Sequence, residues 1–318
     1  WEYLGNGFWE LEEDGKLILK ACACGETTDG RRVDTRSAAL KSKQETDQGL
    51  ELYFEGEEGI NLTEHLGVTK EGMAWVKCCL CGQNGEEIES RLITPLVISA
   101  PEKAEGKTAS PLWKDLWVKM LTVPYDNTMW LRYEALPLKA GRKSYEVTAL
   151  YSEDTREGIV MGALDFDLWK NGFVCSATDA NTIEARSGMA DEGTHDAVLH
   201  GAVKGVQVCS GRFGIMYGGD YRRLLEEYGD FLSREHAPLR WNHGVPFGFN
   251  SWAGLAFRLN EKRYEDTAEF VLRELMPGGY QNEQTTYINL DAGWRVMSEE
   301  RLAAQAERLH KCGQKAGI

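Results

Sequence analysis

Short apolar segments, some of which alternate apolar with polar residues, fill the first two thirds of the chain. Clear examples are Leu17–Ala21, Leu50–Phe54 and Ser144–Tyr151, and Met129–Tyr133 has the same character. These segments are rich in β-branched and aromatic residues, and glycine, aspartate or asparagine bounds them, which predicts strands. The apolar run Gly158–Phe166 is typical of a strand in a core. Many short strands in succession favour an antiparallel β-sandwich over alternating βαβ units.

A helical spacing of apolar residues replaces the strand pattern near residue 218. Leucine and tyrosine side chains recur at intervals of three and four between Tyr221 and Glu235, and Pro238 ends the pattern. The sequence therefore predicts a β-sandwich domain over residues 1–217 and a helical linker over residues 218–243.

Strands and helices alternate over residues 244–318. Val245–Phe249 and Thr285–Leu290 have strand character, and Asn260 and Ser298 are suited to cap the helices that follow them. The final residues, from 315, have the character of a third strand. This order is typical of a parallel sheet with right-handed crossovers. We therefore expect a multi-domain protein in which residues 244–318 form the first two βα units of a (β/α)8 TIM barrel, truncated.

The charge balance narrows the class of partner. The chain has 36 Lys and Arg residues and 50 Asp and Glu residues, and its net charge is −14. Nucleic acid and anionic membrane surfaces repel such a protein, and no basic stripe offsets the charge locally. No run reaches the roughly 20 apolar residues that a membrane-spanning helix needs. A neutral or polar small molecule is the expected partner, and neither nucleic acid nor membrane is.

Eight cysteines raise the question of a metal site. They include the pair Cys22 and Cys24 and, around Leu80, the group Cys78, Cys79 and Cys81. Neither group has the CxxC spacing of a zinc knuckle, and adjacent residues of a strand point to opposite faces. We expect reduced thiols, no metal and no cofactor. Free thiols in this number favour a reducing cytoplasm. No signal peptide is visible, and we expect the amino terminus to be incomplete.

Two motifs stand at the ends of the predicted parallel strands. Phe247-Gly-Phe-Asn-Ser-Trp252 follows the first strand and Asn289-Leu-Asp-Ala-Gly-Trp294 follows the second. The pair resembles the signature of the clan of α-galactosidases and α-N-acetylgalactosaminidases, in which Gly-Trp-Asn-Ser-Trp closes barrel strand one and Asp-Asp-Gly-Trp closes strand two. The tail His310–Ile318 resembles that family's entry into strand three. The preceding domain is similar, more loosely, to the amino-terminal β-sandwich of the bacterial branch.

This resemblance implies that Trp252, Asp291 and Trp294 bind the terminal sugar of the substrate. An indole covers the apolar face of a pyranose, and an ionised carboxylate accepts strong hydrogen bonds from its hydroxyl groups. Asn250 also matches the motif, and one interpretation of its role is that it stabilises the end of the strand. Packing is the alternative role of a tryptophan at a strand end, and helix capping is that of the aspartate.

The chain departs from the family pattern at Ala292. The family has a second aspartate at this position, so one acceptor for sugar hydroxyls is absent. Unpaired polar groups cost about 1–3 kcal/mol, so we expect the pocket to prefer a substrate other than a plain α-galactoside.

The family mechanism is a retaining double displacement by two aspartates that lie roughly 5–5.5 Å apart. They come from barrel strands four and six, so the resemblance places no catalytic residue in this chain. We expect an α-glycosidase whose catalytic aspartates lie beyond residue 318, which acts on an oligosaccharide or glycoside, while the 318-residue piece alone is inactive. Relatives in the clan often form homo-oligomers, which the sequence does not test. The alternative is a non-catalytic carbohydrate-binding protein that uses a partial barrel as a sugar platform.

Overall fold

The chain forms two compact units in a computed structural model, Trp1–Ala237 and Pro238–Ile318. The structure describes residues 1–99, 108–109, 112, 118–125, 133–176, 182–190, 198–242, 244–283 and 285–318, with the backbone alone for 108–109. The predicted strand Met129–Tyr133 lies outside the described residues, except for Tyr133.

Strands make up nearly all of the regular secondary structure in the described part of the first unit. In chain order they are β1 Glu2–Gly5, β2 Phe8–Glu13, β3 Lys16–Glu26, β4 Arg32–Asp34, β5 Ala39–Thr46, β6 Gly49–Glu55, β7 Ile60–Val68, β8 Ala74–Gly82, β9 Ile88–Ser90, β10 Leu92–Ser99, β11 Thr108–Ala109, β12 Lys119–Thr122, β13 Glu134–Pro137, β14 Lys143–Tyr145, β15 Val147–Tyr151, β16 Gly158–Ala163, β17 Asn171–Cys175, β18 Ile183–Ser187, β19 Val203–Gly205, β20 Gln207–Cys209 and β21 Phe213–Gly218. A short 3₁₀ turn, Gln83–Gly85, follows β8, and helix α1, Tyr221–Glu235, ends the unit.

Two large sheets form the first unit. The first sheet has the order β1-β2-β3-β10-β18-β17-β14, and β4 and β11 also pair with β3. The second sheet has the order β13-β12-β15-β16-β21-β8-β7-β6-β5, and β20 also pairs with β8. Strands β9 and β19 form a separate pair, and apart from the parallel pair β11–β3 the pairing in this unit is antiparallel. This is the pairing of the predicted β-sandwich.

Alternating burial along the strands builds one core between the two sheets. In β6 the side chains of Leu50, Leu52 and Phe54 are buried, while those between them are more accessible. They share a cluster with side chains of the first sheet such as Leu19 and Ile98. Because neighbouring residues of a strand point to opposite faces, the period of two in the sequence becomes one apolar layer.

The predicted strand Ser144–Tyr151 is two strands in two different sheets. Strand β14 pairs with β17 in the first sheet, and β15 pairs with β12 and β16 in the second. Glu146 separates them with a φ of 60°, a left-handed conformation that an ordinary residue adopts only at some cost. The chain therefore crosses between the layers at Glu146, which alternation alone does not reveal.

Helix α1 covers part of the outer face of the second sheet. Its residues Leu224, Tyr228 and Phe231 are buried in a cluster with side chains of β15 and β16. The Tyr228 hydroxyl donates to the carbonyl of Ala163 at 2.6 Å. The sequence predicts this helix as a linker over residues 218–243, whereas its apolar stripe packs it into the first unit.

Cys79 and Cys209 form a disulfide, which corrects the expectation of eight reduced thiols. Antiparallel pairing of β8 and β20 places the two residues opposite each other, with their Cα atoms 3.9 Å apart. A separation of 130 residues in the sequence hides this proximity. Disulfides are usual in oxidising compartments, so the cysteines no longer favour the cytoplasm. In the described ranges no group of three or more His, Cys, Asp or Glu side chains is arranged to hold a metal.

The second unit alternates short strands with helices. Its strands are β22 Gly248–Asn250, β23 Tyr287–Asn289 and β24 Lys315–Gly317, and its helices are α2 Ser251–Leu255, α3 Glu261–Phe270 and α4 Glu299–Lys311. 3₁₀ turns cover Ala256–Arg258, Met276–Gly278 and Ala292–Val296, and a π-helical turn covers Val271–Leu275. The strands form one parallel sheet in the order β22-β23-β24.

The predicted helix caps hold the second unit's helices in place. The side chain of Asn260 accepts from the backbone N–H of Arg263 at 2.9 Å, and Ser298 caps α4 in the same way through Arg301. Tyr264 of α3 is buried, and its hydroxyl donates to the carbonyl of Ile288 at 2.9 Å. In neither unit does a described helix combine the length and apolar character needed to cross a membrane.

Candidate functional site

The two sequence motifs meet at the carboxyl ends of adjacent parallel strands. Strand β22 ends at Asn250 and β23 ends at Asn289, and these two residues pair in register. The chain continues as Ser251-Trp252 from the first strand and as Leu290-Asp291 from the second. Since parallel strands end at the same edge of a sheet, the motif residues emerge side by side.

Hydrogen bonds join the two motif segments around Asp291. The amide Nδ2 of Asn250 donates to Asp291 Oδ2 at 3.0 Å, and the Ser251 hydroxyl oxygen accepts from the Asp291 backbone N–H at 2.9 Å. The backbone N–H of Ala292 donates to Asp291 Oδ1 at 2.7 Å. Each carboxylate oxygen therefore has one donor, and both retain lone pairs for further donors.

The same donors set the ionisation of Asp291. The backbone N–H of Ala292, and then the side-chain amide of Asn250, lower the pKa of the Asp291 carboxyl below its ordinary value by stabilising the charged form. The group is ionised at neutral pH and remains so in mild acid. It can accept strong, charge-assisted hydrogen bonds from a ligand.

Asn250 has two structural roles that the motif alone does not distinguish. Its Oδ1 accepts from the backbone N–H of Trp252 at 2.9 Å and so caps α2, while its Nδ2 holds the carboxylate of Asp291. Asp291 in turn caps the 3₁₀ turn that follows it. Asp291 therefore does act as a cap, through Oδ1. Its Oδ2 is directed to Asn250 at the end of the neighbouring strand.

Trp252 presents its ring at this edge beside a second aromatic residue. The side chain of Trp252 is 38% exposed, and its ring meets that of Phe257 edge to face, with centroids 5.1 Å apart. Phe257 is 93% exposed. Sequence reasoning missed Phe257, because no motif or periodicity marks it. Ala256, which directly precedes Phe257 in the chain, adopts a φ of 45°, an uncommon conformation for a residue with a side chain.

Trp294, the third predicted sugar-binding residue, lies in a different setting. Its backbone N–H donates to the carbonyl of Asp291 at 3.0 Å. Its side chain packs against the apolar core of the second unit, and the guanidinium of Arg295 lies 5.2 Å from the ring centroid. The structure joins the Trp252 and Asp291 segments directly, whereas the Trp294 ring belongs in part to the core.

The fold is similar to those of solved glycosidases. A β-arabinopyranosidase aligns over 96% of this chain with a TM-score of 0.59 and 14% identity. The α-N-acetylgalactosaminidase NagBb from Bifidobacterium bifidum, solved as a GalNAc complex, aligns over 99% with a TM-score of 0.56 and 11% identity. The chain shares the fold of these glycosidases. The resemblance indicated by the two motifs is confirmed at the level of the fold.

The alignment covers nearly all of this chain but only part of each solved protein. The chain spans 51% of the β-arabinopyranosidase and 56% of the NagBb chain, which is about half of each solved protein. No protein-family model and no curated protein matches the sequence.

Proposed function

We propose that this chain is the amino-terminal part of a retaining α-glycosidase, in which Trp252, Asp291 and Trp294 bind the terminal sugar of the substrate. The catalytic nucleophile and the acid/base residue lie on barrel strands beyond residue 318. The 318-residue chain alone is inactive as a glycosidase.

One observation carries this proposal: an ionised carboxylate and an exposed indole stand at the ends of adjacent parallel strands. Asn250 is hydrogen-bonded to the carboxylate of Asp291 and to the backbone N–H of Trp252. A pyranose needs an apolar surface for one face and charged acceptors for its hydroxyl groups, and this edge offers both. The donors on Asp291 hold its carboxylate before the ligand arrives, which reduces the cost of ordering it on binding.

The arrangement of the second unit supports the proposal that residues 244–318 form the beginning of a (β/α)8 barrel. Its three strands are parallel and follow one another in space in chain order, with a helix in each connection. In such barrels the active site lies at the carboxyl ends of the strands, which is the edge that carries Trp252 and Asp291. The solved glycosidases are nearly twice as long as the aligned region, and this length is consistent with the remaining barrel strands.

In the proposed mechanism the residues of this chain bind and orient the sugar. Asp291 accepts hydrogen bonds from ring hydroxyl groups, and such bonds strengthen as positive charge develops on the ring in an oxocarbenium-like transition state. Trp252 covers the apolar face and excludes water from it. The covalent steps belong to the two carboxyl groups of the later strands.

Hydrolysis by the complete protein tests the proposal. We expect it to cleave at least one member of a panel of nitrophenyl α-glycosides, with the first sugar product released in the α configuration when followed by proton NMR. Sugar binding without any turnover would favour the non-catalytic carbohydrate-binding alternative. A β-configured first product would contradict the retaining mechanism.

Replacing Ala292 by aspartate should shift the substrate preference towards plain galactosides. The substitution restores a charged acceptor beside Asp291, and a hydrogen bond to a charged group contributes about 1.5–3 kcal/mol, which corresponds to at least about a tenfold rise in kcat/KM for nitrophenyl α-galactoside. Ala303→Asp, at an exposed position of α4, serves as a control for added charge. Fast hydrolysis of plain α-galactosides by the unaltered protein, or no gain from Ala292→Asp, would contradict this prediction.

A further inference from the structure

The second sheet of the first unit has an open groove on its outer face. Helix α1 covers β15 and β16, but the face of β7 and β8 lies open beside the helix end. The groove has a volume of about 1000 Å³, and all of its lining residues belong to the first unit. This volume is at the upper end of the range for small-molecule sites, so the groove has room for more than a single sugar ring.

An indole lies flat on the groove floor. Trp75 of β8 lines the groove, and its cross-strand partner in β7 is Gly67. A Cβ atom added to Gly67 would lie 2.3, 2.4 and 2.6 Å from three successive ring atoms, Cε2, Cζ2 and Nε1, so the glycine contacts the face of the ring rather than its edge. The ring is half-buried: one face lies against the backbone of Gly67, part of the side chain packs against the apolar cluster of α1, and the remainder lines the groove.

Polar side chains continue this floor along the same face of the sheet. His65 and Lys77 are direct cross-strand partners, and both line the groove beside Trp75. Burial, with a smaller contribution from Lys77, lowers the pKa of His65 against the opposing effect of Glu51, so the imidazole is neutral at neutral pH. The disulfide Cys79–Cys209 lies at the same floor and ties β8 to β20.

The charges around the groove balance. Its cationic lining residues are Lys70, Lys77 and Arg212, and its anionic ones are Asp47, Glu71 and Glu235. Such a lining has hydrogen-bond donors and acceptors of both kinds and no net charge, so it does not select a strongly charged ligand. Arg212 is held by Asp165 through bonds of 2.8–3.2 Å, which fixes one wall.

We propose that this groove is a carbohydrate-binding site of the first unit, formed by residues other than those of the candidate site, and that it holds a neutral oligosaccharide. The Trp75 face covers the C–H face of one pyranose ring, and the neutral mixture of donors and acceptors binds the hydroxyl groups. The choice of a sugar over other neutral polar ligands rests on the proposed function. The site itself rests on the geometry of the groove.

Binding measured in a variant that lacks the candidate site separates the two sites. The complete protein with Asp291→Ala is applied to an array of neutral oligosaccharides that includes α-linked galactose and N-acetylgalactosamine trisaccharides, and the retained trisaccharide is then titrated by calorimetry. We expect binding to persist in this background and to weaken about tenfold when Trp75→Ala is added. Lys77→Met, which keeps the aliphatic stem, should also weaken binding, and Phe270→Ala, at an exposed position of α3, should not.

The outcomes distinguish failure of the groove from failure of the proposed function. Unchanged binding in both Trp75→Ala and Lys77→Met, or no retained oligosaccharide at all, would overturn the groove site. Loss of all binding with Asp291→Ala alone would assign it to the candidate site and would overturn the groove as well. Nitrophenyl glycoside hydrolysis is scored separately. Absence of hydrolysis removes the proposed function, while binding that depends on Trp75 still supports the groove.

Discussion

Replacing Asp291 by asparagine should lower kcat/KM of the complete protein by about 100- to 1000-fold on its preferred glycoside, since the change removes a charged acceptor where positive charge develops. Asparagine keeps the size of the side chain and an oxygen that can accept from the N–H of Ala292. The strand end should therefore stay folded. The loss should appear in kcat as well as in KM, because hydrogen bonds to the sugar strengthen in the transition state. Steady-state kinetics with a nitrophenyl α-glycoside measures both constants.

Two further variants show whether the effect is specific to the site. Asp266→Asn removes an exposed aspartate of α3 that pairs with Lys262 at 2.9 Å, and it should leave the kinetics unchanged. Asn250→Ala removes the donor that holds Asp291 and should cause a smaller loss than Asp291→Asn, with a rise in KM. An Asp291→Asn protein that keeps its activity would show that Asp291 is only a helix cap.

Replacing Glu64 by glutamine should stabilise the first unit at alkaline pH. Glu64 is fully buried in β7, where the indole Nε1 of Trp9 donates to its Oε1 at 3.0 Å. Its Oε2 has no hydrogen-bond partner among the described residues. Burial raises the pKa of Glu64 to about 8, and the bond from Trp9 offsets this only in part. Glutamine has nearly the same shape as the protonated carboxyl group and never ionises.

The direction of the pH dependence follows from the raised pKa. Between the ordinary value of 4.5 and about 8, the folded state holds a proton that the unfolded state has released, so the stability falls as the pH rises through this window. The full loss above pH 8 is on the order of 5 kcal/mol. Glu146, whose pKa burial raises from 4.5 to about 7, adds a smaller total loss of the same sign, because its pH window is narrower.

Urea denaturation at pH 5 and pH 9 measures this effect. Unaltered protein and Glu64→Gln should have similar free energies of unfolding at pH 5, and the variant should be more stable by a few kcal/mol at pH 9. The exposed residue Glu57 provides the matched control, and Glu57→Gln should retain the slope of the unaltered protein. A stability that rises between the two pH values would contradict the assignment.

Local sequence patterns were sufficient to predict the elements that depend only on neighbouring residues. The helix caps Asn260 and Ser298 appear where polar residues precede helical spacing, because capping involves residues within one turn. The strand around Leu50 appears where apolar residues alternate with others, and the strand around Leu17 appears where an apolar run is bounded by polar residues. The strand character predicted for Ser144–Tyr151 is confirmed on both sides of Glu146, but alternation does not report that the chain changes sheets there.

The candidate site shows the same division between local and distant information. Trp252 and Asp291 are recognisable from two motifs, and their closeness follows from the rule that parallel strands end at one edge. The bonds from Asn250, the neighbouring ring of Phe257 and the packing of Trp294 into the core depend on side-chain directions that no spacing specifies.

The sequence by itself determined the change from short alternating strands to strand–helix units, the net charge of −14 and the two motif segments. These properties reside in neighbouring residues or in simple sums over the chain. Only the tertiary structure decided the disulfide between Cys79 and Cys209, the contact of Gly67 with the face of the Trp75 ring and the burial of Glu64 beside Trp9. Each of these depends on the pairing of strands and the stacking of sheets, which bring together residues that have no local signal for each other.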